Sequence, residues 1–187
     1  MFRRSRHTAA PTRLPDDQLS IAWQVCSLLL DYPSEALLAR LELARRAAGE
    51  LPAYLAEPVC RVVDHLESTP LGQVQRDFVE TFDHTRRGCL YLTYFTTGDT
   101  RKRGVALVRL KQAYRRAGVE LTSGELPDHL AVVLEFGATA DIEAAWRILN
   151  DYRASIEVLR ISLQERNSPW ADAVVAISRT LPELAGD

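Results

Sequence analysis

The sequence predicts a single all-α domain, a bundle of seven or more helices, and three features carry that prediction. Apolar residues recur at intervals of three and four along most of its 187 residues. Prolines and glycines such as Pro33, Gly49, Pro70, Gly118 and Pro127 fall where helices would start or stop. Strand propensity is confined to Leu90-Tyr91-Leu92-Thr93-Tyr94-Phe95, and a lone strand cannot satisfy its backbone. That stretch is therefore predicted as a loop or a short helix. At this length one domain is expected, burying roughly 70% of the surface its unfolded chain exposes.

The elements follow in order. Asp16 and Asp17 are N-cap candidates for a first helix running to about Asp31, where Tyr32-Pro33 stops it. Apolar side chains from Leu19 to Leu30 cover most of its circumference, which places it in the middle of the bundle. Ser34 can cap a second helix ending at Gly49, a residue suited to a left-handed C-terminal position. Pro52 and Pro58 suit first turns better than helix interiors, so a short turn and then a helix are expected up to Thr69. Pro70 and Leu71 open the next helix, through about Phe82. Asp99 or Thr100 caps another that ends at Gly118. Steps of 100° put Ala106, Leu107, Leu110, Ala113, Tyr114 and Ala117 on one arc of it, with Arg101, Lys102, Arg109, Lys111, Arg115 and Arg116 on the other. Residues 118–124 form a linker, and Pro127 begins a helix through about Ala138. Ile142, Ala145, Trp146, Leu149, Tyr152, Ile156, Leu159 and Leu163 then predict one rod from Asp141 to Arg166, about 39 Å long. Asn167-Ser168-Pro169 starts a last helix that reaches Leu181.

Residues 1–15 are expected to be a disordered basic tail and 16–187 the domain. Met1–Arg13 holds four arginines and no acid, but neither an apolar segment nor a cleavage site follows, so no export is expected. No apolar run approaches the roughly 20 residues a membrane-spanning helix needs. Cys26, Cys60 and Cys89 show no paired spacing and are expected as reduced, buried thiols of a cytoplasmic protein.

Catalytic and metal-binding patterns are missing. His65, His84 and His129 each follow an aspartate, but adjacent helical residues diverge by about 100° and make no metal clamp. His65 and His84 are expected as surface or capping residues. His129 differs, because Pro127 would pin it to a first turn whose free N–H groups suit a polar ligand or a structural cap. The 98–104 segment has five residues between its glycines, followed by Val105 and Ala106, and is not a phosphate loop. An enzyme is not predicted, and no bound cofactor or metal.

Charge divides the chain more sharply than its net value of −2 suggests. Residues 76–116 carry +6 and residues 125–187 carry −6. Aromatics interleave the basic block: Phe78, Phe82, Tyr91, Tyr94 and Phe95. This composition suits either a solvated helix face over core aromatics or a recognition surface. A nucleic-acid binder is an alternative, resting on Lys102, Arg109 and Arg116 at spacings of seven.

The same region is similar to a known family. Residues 76–83 (RDFVETFD), 90–94 (LYLTY), 98–104 (GDTRKRG) and 110–114 (LKQAY) resemble the nitrate reductase molybdenum cofactor assembly chaperones, the NarJ family of redox-enzyme maturation proteins. So do Glu125-Leu126-Pro127-Asp128-His129-Leu130, residues 133–136, the opening 28–33 and the closing Ser168-Pro169-Trp170, over about residues 20–182. The wider family's acidic-Pro-Asp-His element is matched by Glu125, Pro127, Asp128 and His129. Its aromatic-x-x-Leu-Phe element is matched by Phe78–Phe82, with Thr81 in the leucine position. The resemblance implies an all-α cytoplasmic chaperone that binds the N-terminal segment of the apo catalytic subunit of respiratory nitrate reductase. It would hold that subunit competent for molybdenum cofactor insertion and leave before the mature complex works. A monomer or weak homodimer is expected, with no stable nucleic-acid or membrane binding. The client peptide is expected at Phe78, Phe82, Tyr91, Tyr94, Arg101, Arg103, Glu125, Asp128 and His129. Within that set, Phe82, Tyr91 and Tyr94 would line an apolar groove while Asp128 and His129 grip polar groups of the peptide.

Overall fold

The computed structural model describes residues 13–83, 86–97, 101–121 and 124–184. They form an all-α bundle, as the periodicity predicts, in the order α1 (Asp16–Leu29), α2 (Glu35–Leu38), α3 (Leu41–Ala48), α4 (Ala53–Ser68), α5 (Leu71–Phe82), a 3₁₀ turn (Arg86–Gly88), α6 (Leu92–Thr97), α7 (Arg101–Arg116), α8 (Leu130–Thr139), α9 (Ile142–Asp151), α10 (Arg153–Glu165) and α11 (Ala171–Thr180). Central placement of α1 holds: it packs against α3, α4, α8, α9 and α11, and Leu19, Trp23, Cys26 and Leu29 are fully buried. Trp23 donates its indole N–H to Thr180 Oγ1 at 3.0 Å, fastening α1 to α11.

Several boundaries differ from expectation, each for a local reason. Pro15, not an aspartate, is the residue before α1; Asp16 and Asp17 lie inside its first turn, where carboxylates oppose the helix dipole. Ser34 does cap, accepting from Leu37 N at 3.2 Å, but the helix it starts ends at Leu38 and α3 begins afresh at Leu41. Gly49 closes α3 with φ −63°, so the left-handed turn expected there is absent. Pro58 sits inside α4. Its ring removes the N–H that Tyr54 C=O would accept, and Arg179 of α11 supplies a replacement donor at 2.5 Å.

The predicted 39 Å rod is two helices. α9 packs on α8, whereas α10 packs on α11, α6 and the 3₁₀ turn, and a straight rod could not serve both. The turn between them is fixed by Arg153, buried at the start of α10, which donates to Pro182 C=O and to Ser178 Oγ, both at 3.0 Å. The apolar period runs straight through this break. In α7 the expected arcs hold: Leu110 and Tyr114 are buried while Arg101, Lys102, Arg109, Lys111, Arg115 and Arg116 are exposed.

Of the basic tail expected over 1–15, residues 1–12 lie outside the described residues, as do the expected caps Asp99 and Thr100 and the surface residue His84. Arg13 is held in place, donating to Glu143 at 2.5 Å with its guanidinium 4.7 Å from the Trp146 ring. Cys26, Cys60 and Cys89 are free, but only Cys26 is buried, and burial pushes its thiol up to about 12. His65 is half-buried in the last turn of α4, edge-on to Trp170.

Helix α8 approaches α1 and α9 closely at Gly137. A Cβ there would lie 2.5 Å from Ala145 Cβ and 2.7 Å from the Trp23 ring. Gly137→Ala is expected to destabilise the fold by about 2 kcal/mol despite its helix propensity, read as a lowered urea midpoint at unchanged slope.

Candidate functional site

The segment with strand propensity and the acidic-Pro-Asp-His element meet. Leu92 N donates to Asp128 C=O at 2.9 Å and Leu130 N to Leu90 C=O at 2.8 Å, forming an isolated antiparallel bridge between Tyr91 and His129. Residues 90–91 thus have a two-bond partner in the 128–130 turn, and the chain then coils into α6. This bridge was not predicted, since its partner lies in a turn, not a strand.

Pro127 does not start a helix. It lies in the turn, where Tyr114 of α7 donates to its C=O at 2.6 Å, and α8 begins at Leu130 with His129 as the preceding cap residue. His129 makes no side-chain cap bond.

Beneath the bridge sits a buried polar knot. Asp128 is 0% exposed, and its Oδ2 accepts from Thr93 Oγ1 (2.5 Å), Thr93 N (3.3 Å) and Arg103 Nη2 (3.4 Å). Arg103 also donates to Thr93 Oγ1 at 3.2 Å and carries its guanidinium 5.6 Å from the Tyr91 ring centre. The Tyr91 ring in turn meets the His129 ring edge-on at 5.3 Å. Three segments, α6 at Thr93, α7 at Arg103 and the 128–129 turn, are locked together by one carboxylate.

Above the bridge opens a cleft of about 270 Å³ between α1 and the start of α8. Leu28, Leu126 and Val132 supply apolar wall, Tyr91 and His129 an aromatic end, and Asp31, Glu125 and Glu135 a carboxylate rim relieved by Arg40. Ser27 Oγ donates to Ala131 C=O at 2.8 Å and holds the two helices at this distance. Burial lowers the His129 pKa below its usual 6.5, opposed by the charges of Asp31, Asp128, Glu125 and Asp83. His129 is therefore neutral at pH 7. Burial raises the Tyr91 phenol, which stays protonated.

The residues expected to bind a peptide separate into groups. Tyr91, Glu125 and His129 line the cleft. Asp128 and Arg103 lie beneath it, in contact with each other rather than with the cleft. Phe78 and Phe82 are 7% and 6% exposed and meet Trp170 edge-on, at 5.4 and 5.6 Å between ring centres, in an aromatic core cluster. Tyr94 packs edge-on to Phe95, and Arg101 is on the exposed face of α7. Of the three residues expected to line one groove, Phe82, Tyr91 and Tyr94, only Tyr91 lines this cleft. Asp31, Arg40 and Glu135 are cleft residues not foreseen, although Asp31 and Glu135 lie within the segments that carry the family resemblance.

Comparison with known proteins decides the relationship. The family described as nitrate reductase delta subunit matches residues 44–176. The chain belongs to that family. Among its relatives is the probable nitrate reductase molybdenum cofactor assembly chaperone NarJ of Bacillus subtilis, 30% identical over 165 residues, covering 88% of this chain and 90% of that protein. The NarJ chaperone of Escherichia coli K12 is 33% identical over 150 residues, 79% of this chain and 64% of that one. The nitrate reductase-like protein NarX of Mycobacterium tuberculosis is 41% identical over 165 residues; the chain spans 88% of its own length but only about a quarter, 25%, of that relative. In fold the chain resembles a putative redox enzyme maturation protein from Archaeoglobus fulgidus, with a TM-score of 0.62 over 95% of this chain and 98% of that one, at 20% identity. The span matched to the delta subunit family contains Tyr91, Arg103, Glu125, Asp128 and His129, whereas the cleft's other wall on α1, Gln24 to Asp31, precedes it.

Proposed function

We propose that this protein is a dedicated cytoplasmic assembly chaperone that binds the N-terminal segment of the apo catalytic subunit of a nitrate reductase and keeps that subunit open for molybdenum cofactor insertion. The observation that carries this reading is the cleft: a largely polar slot with a short apolar wall and a carboxylate rim, built on the acidic-Pro-Asp-His element, in a chain whose relatives are named as such chaperones. A client segment lying along α1 would place apolar side chains on Leu28 and Val132. Asp31, Glu125 and Glu135 outnumber Arg40, so a client segment rich in Lys or Arg is favoured. Tyr91, Glu125 and His129 would contact the peptide, with Asp128 and Arg103 as positioning residues. The molybdenum cofactor is the client's cargo. The protein acts by binding, as a monomer or weak dimer, and contributes no catalytic step.

Among the described residues no helix is long and apolar enough to cross a membrane, and no group of three or more His, Cys, Asp or Glu could hold a metal ion.

Calorimetric titration of the client's N-terminal peptide tests the assignment. With His129 neutral and its pKa below 6.5, affinity is expected to be flat from pH 7 to 8 and to change as pH falls below 6.5, where the imidazole gains a proton inside the cleft. His129→Gln should remove that pH dependence and weaken binding about fivefold. An affinity and pH profile identical to the parent's would sink His129 as a peptide contact. The same lowered pKa makes a stability prediction. The unfolded chain binds the proton more readily, so His129's contribution is full above pH 6.5 and is lost as pH falls below it.

A further inference from the structure

Helix α7 is the most one-sidedly charged element of the molecule: seven of its sixteen residues are Lys or Arg and none is acidic. Arg103 is engaged with Asp128; among the described residues Lys102, Arg109, Lys111 and Arg115 form no ion pair, although Glu120 and Glu125 line a pocket beside Lys111 and Arg115. Some arginines elsewhere meet carboxylates, as Arg45 meets Asp64 and Glu67 and Arg61 meets Asp172. Two apolar side chains share the exposed face, Val105 at 52% and Val108 at 54%.

Their arrangement follows from 100° per residue. The exposed arc spans about 180°, with Val108 and Val105 about 30° either side of its centre and Arg101 and Gln112 between them. Lys111 and Arg115 lie on one flank, Arg109 and Lys102 on the other, while Arg101 and Arg116 stand at the two ends of the helix. Two exposed valines set among long cationic side chains suit a helix lying at a membrane interface. The apolar side chains enter the headgroup boundary and the cations reach the lipid phosphates. A nucleic acid offers phosphates but no apolar medium for two valines at the point of closest approach.

We propose that the outer face of α7 is a reversible docking surface for an anionic lipid bilayer. The positive charge of α7, seven Lys or Arg and no acid, is complementary to anionic headgroups. Two valines and four to six cations give weak, peripheral and salt-sensitive adsorption, not stable anchoring. The proposal stands apart from peptide binding in the α1–α8 cleft, and either can fail without the other.

The test is co-sedimentation of the full chain with vesicles of phosphatidylglycerol and phosphatidylcholine, with pure phosphatidylcholine vesicles and a DNA duplex as the other arms. Binding is expected to the phosphatidylglycerol vesicles alone and should fall steeply with added salt. Lys102→Gln with Arg109→Gln should weaken it about 25-fold, at about fivefold per charge. Val105→Ser with Val108→Ser, which leaves every charge in place, should weaken it about tenfold. All four side chains are exposed, so each variant should keep the parent's unfolding midpoint and client-peptide affinity. Three outcomes overturn the proposal: no sedimentation with anionic vesicles, sedimentation indifferent to the valine pair, or duplex binding that tracks the charge pair alone.

Discussion

Asp128→Ala is expected to destabilise the protein by about 3 kcal/mol, the largest effect of any single polar substitution near the cleft. The carboxylate is fully buried, and its Oδ2 is the common acceptor for the Thr93 hydroxyl, the Thr93 N–H and the Arg103 guanidinium. Alanine leaves two Thr93 donors without their acceptor and a half-buried cation without its counter-charge, and each unpaired buried group costs about 1–3 kcal/mol. Asp128→Asn retains one oxygen for Thr93 but not the charge, so an intermediate loss is expected. Thr93→Val removes a single hydroxyl and should cost about 1 kcal/mol. Urea unfolding of the three variants should return that order. Equal midpoints for Asp128→Ala and the parent would show that the knot does not hold the cleft together.

Tyr91→Ala is expected to weaken binding of the client's N-terminal peptide about 30-fold, the loss expected of an aromatic anchor at the centre of an interface. Tyr91 forms the aromatic end of the cleft, stands edge-on to His129 and receives the Arg103 guanidinium on its ring. Its removal shortens the cleft and releases both neighbours. Phe82→Leu provides the contrast. Phe82 packs on Phe78 and Trp170 in the core, so its substitution should lower stability by about 1 kcal/mol and leave peptide affinity of the folded protein unchanged. The reverse pattern, affinity lost with Phe82 and kept with Tyr91, would move the peptide to the aromatic cluster.

Legibility in the sequence follows from how local each cause is. The two faces of α7 were readable because burial there obeys one helical period over sixteen residues. The break between α9 and α10 was not, because the apolar period continues through Tyr152 and the bend is imposed by Arg153 reaching Ser178 and Pro182. Pro58 inside α4 was equally hidden, since its tolerance depends on Arg179 supplying a donor to Tyr54 from far along the chain.

At the site, Tyr91, Glu125 and His129 were accessible through the resemblance. Asp31, Arg40 and Glu135 became visible only when α1 and α8 were placed side by side. Phe78 and Phe82 show the limit of composition: an aromatic beside basic residues reads the same whether it anchors a partner or fills the core. Asp128 shows the corresponding limit for polar residues. Its neighbours in sequence suggested a hand for the peptide, and its burial makes it the fastening of the hand instead.

The central claim is that this protein readies a nitrate reductase catalytic subunit for its cofactor through the cleft. The most direct measurement is the molybdenum content of that subunit after purification from cells lacking this chain, from cells expressing it, and from cells expressing the Tyr91→Ala variant at equal level. The account predicts little molybdenum without the chain, full loading with it together with co-purification of the apo subunit, and poor loading with the variant. Full molybdenum loading in its absence, or equal loading by parent and variant, would contradict it.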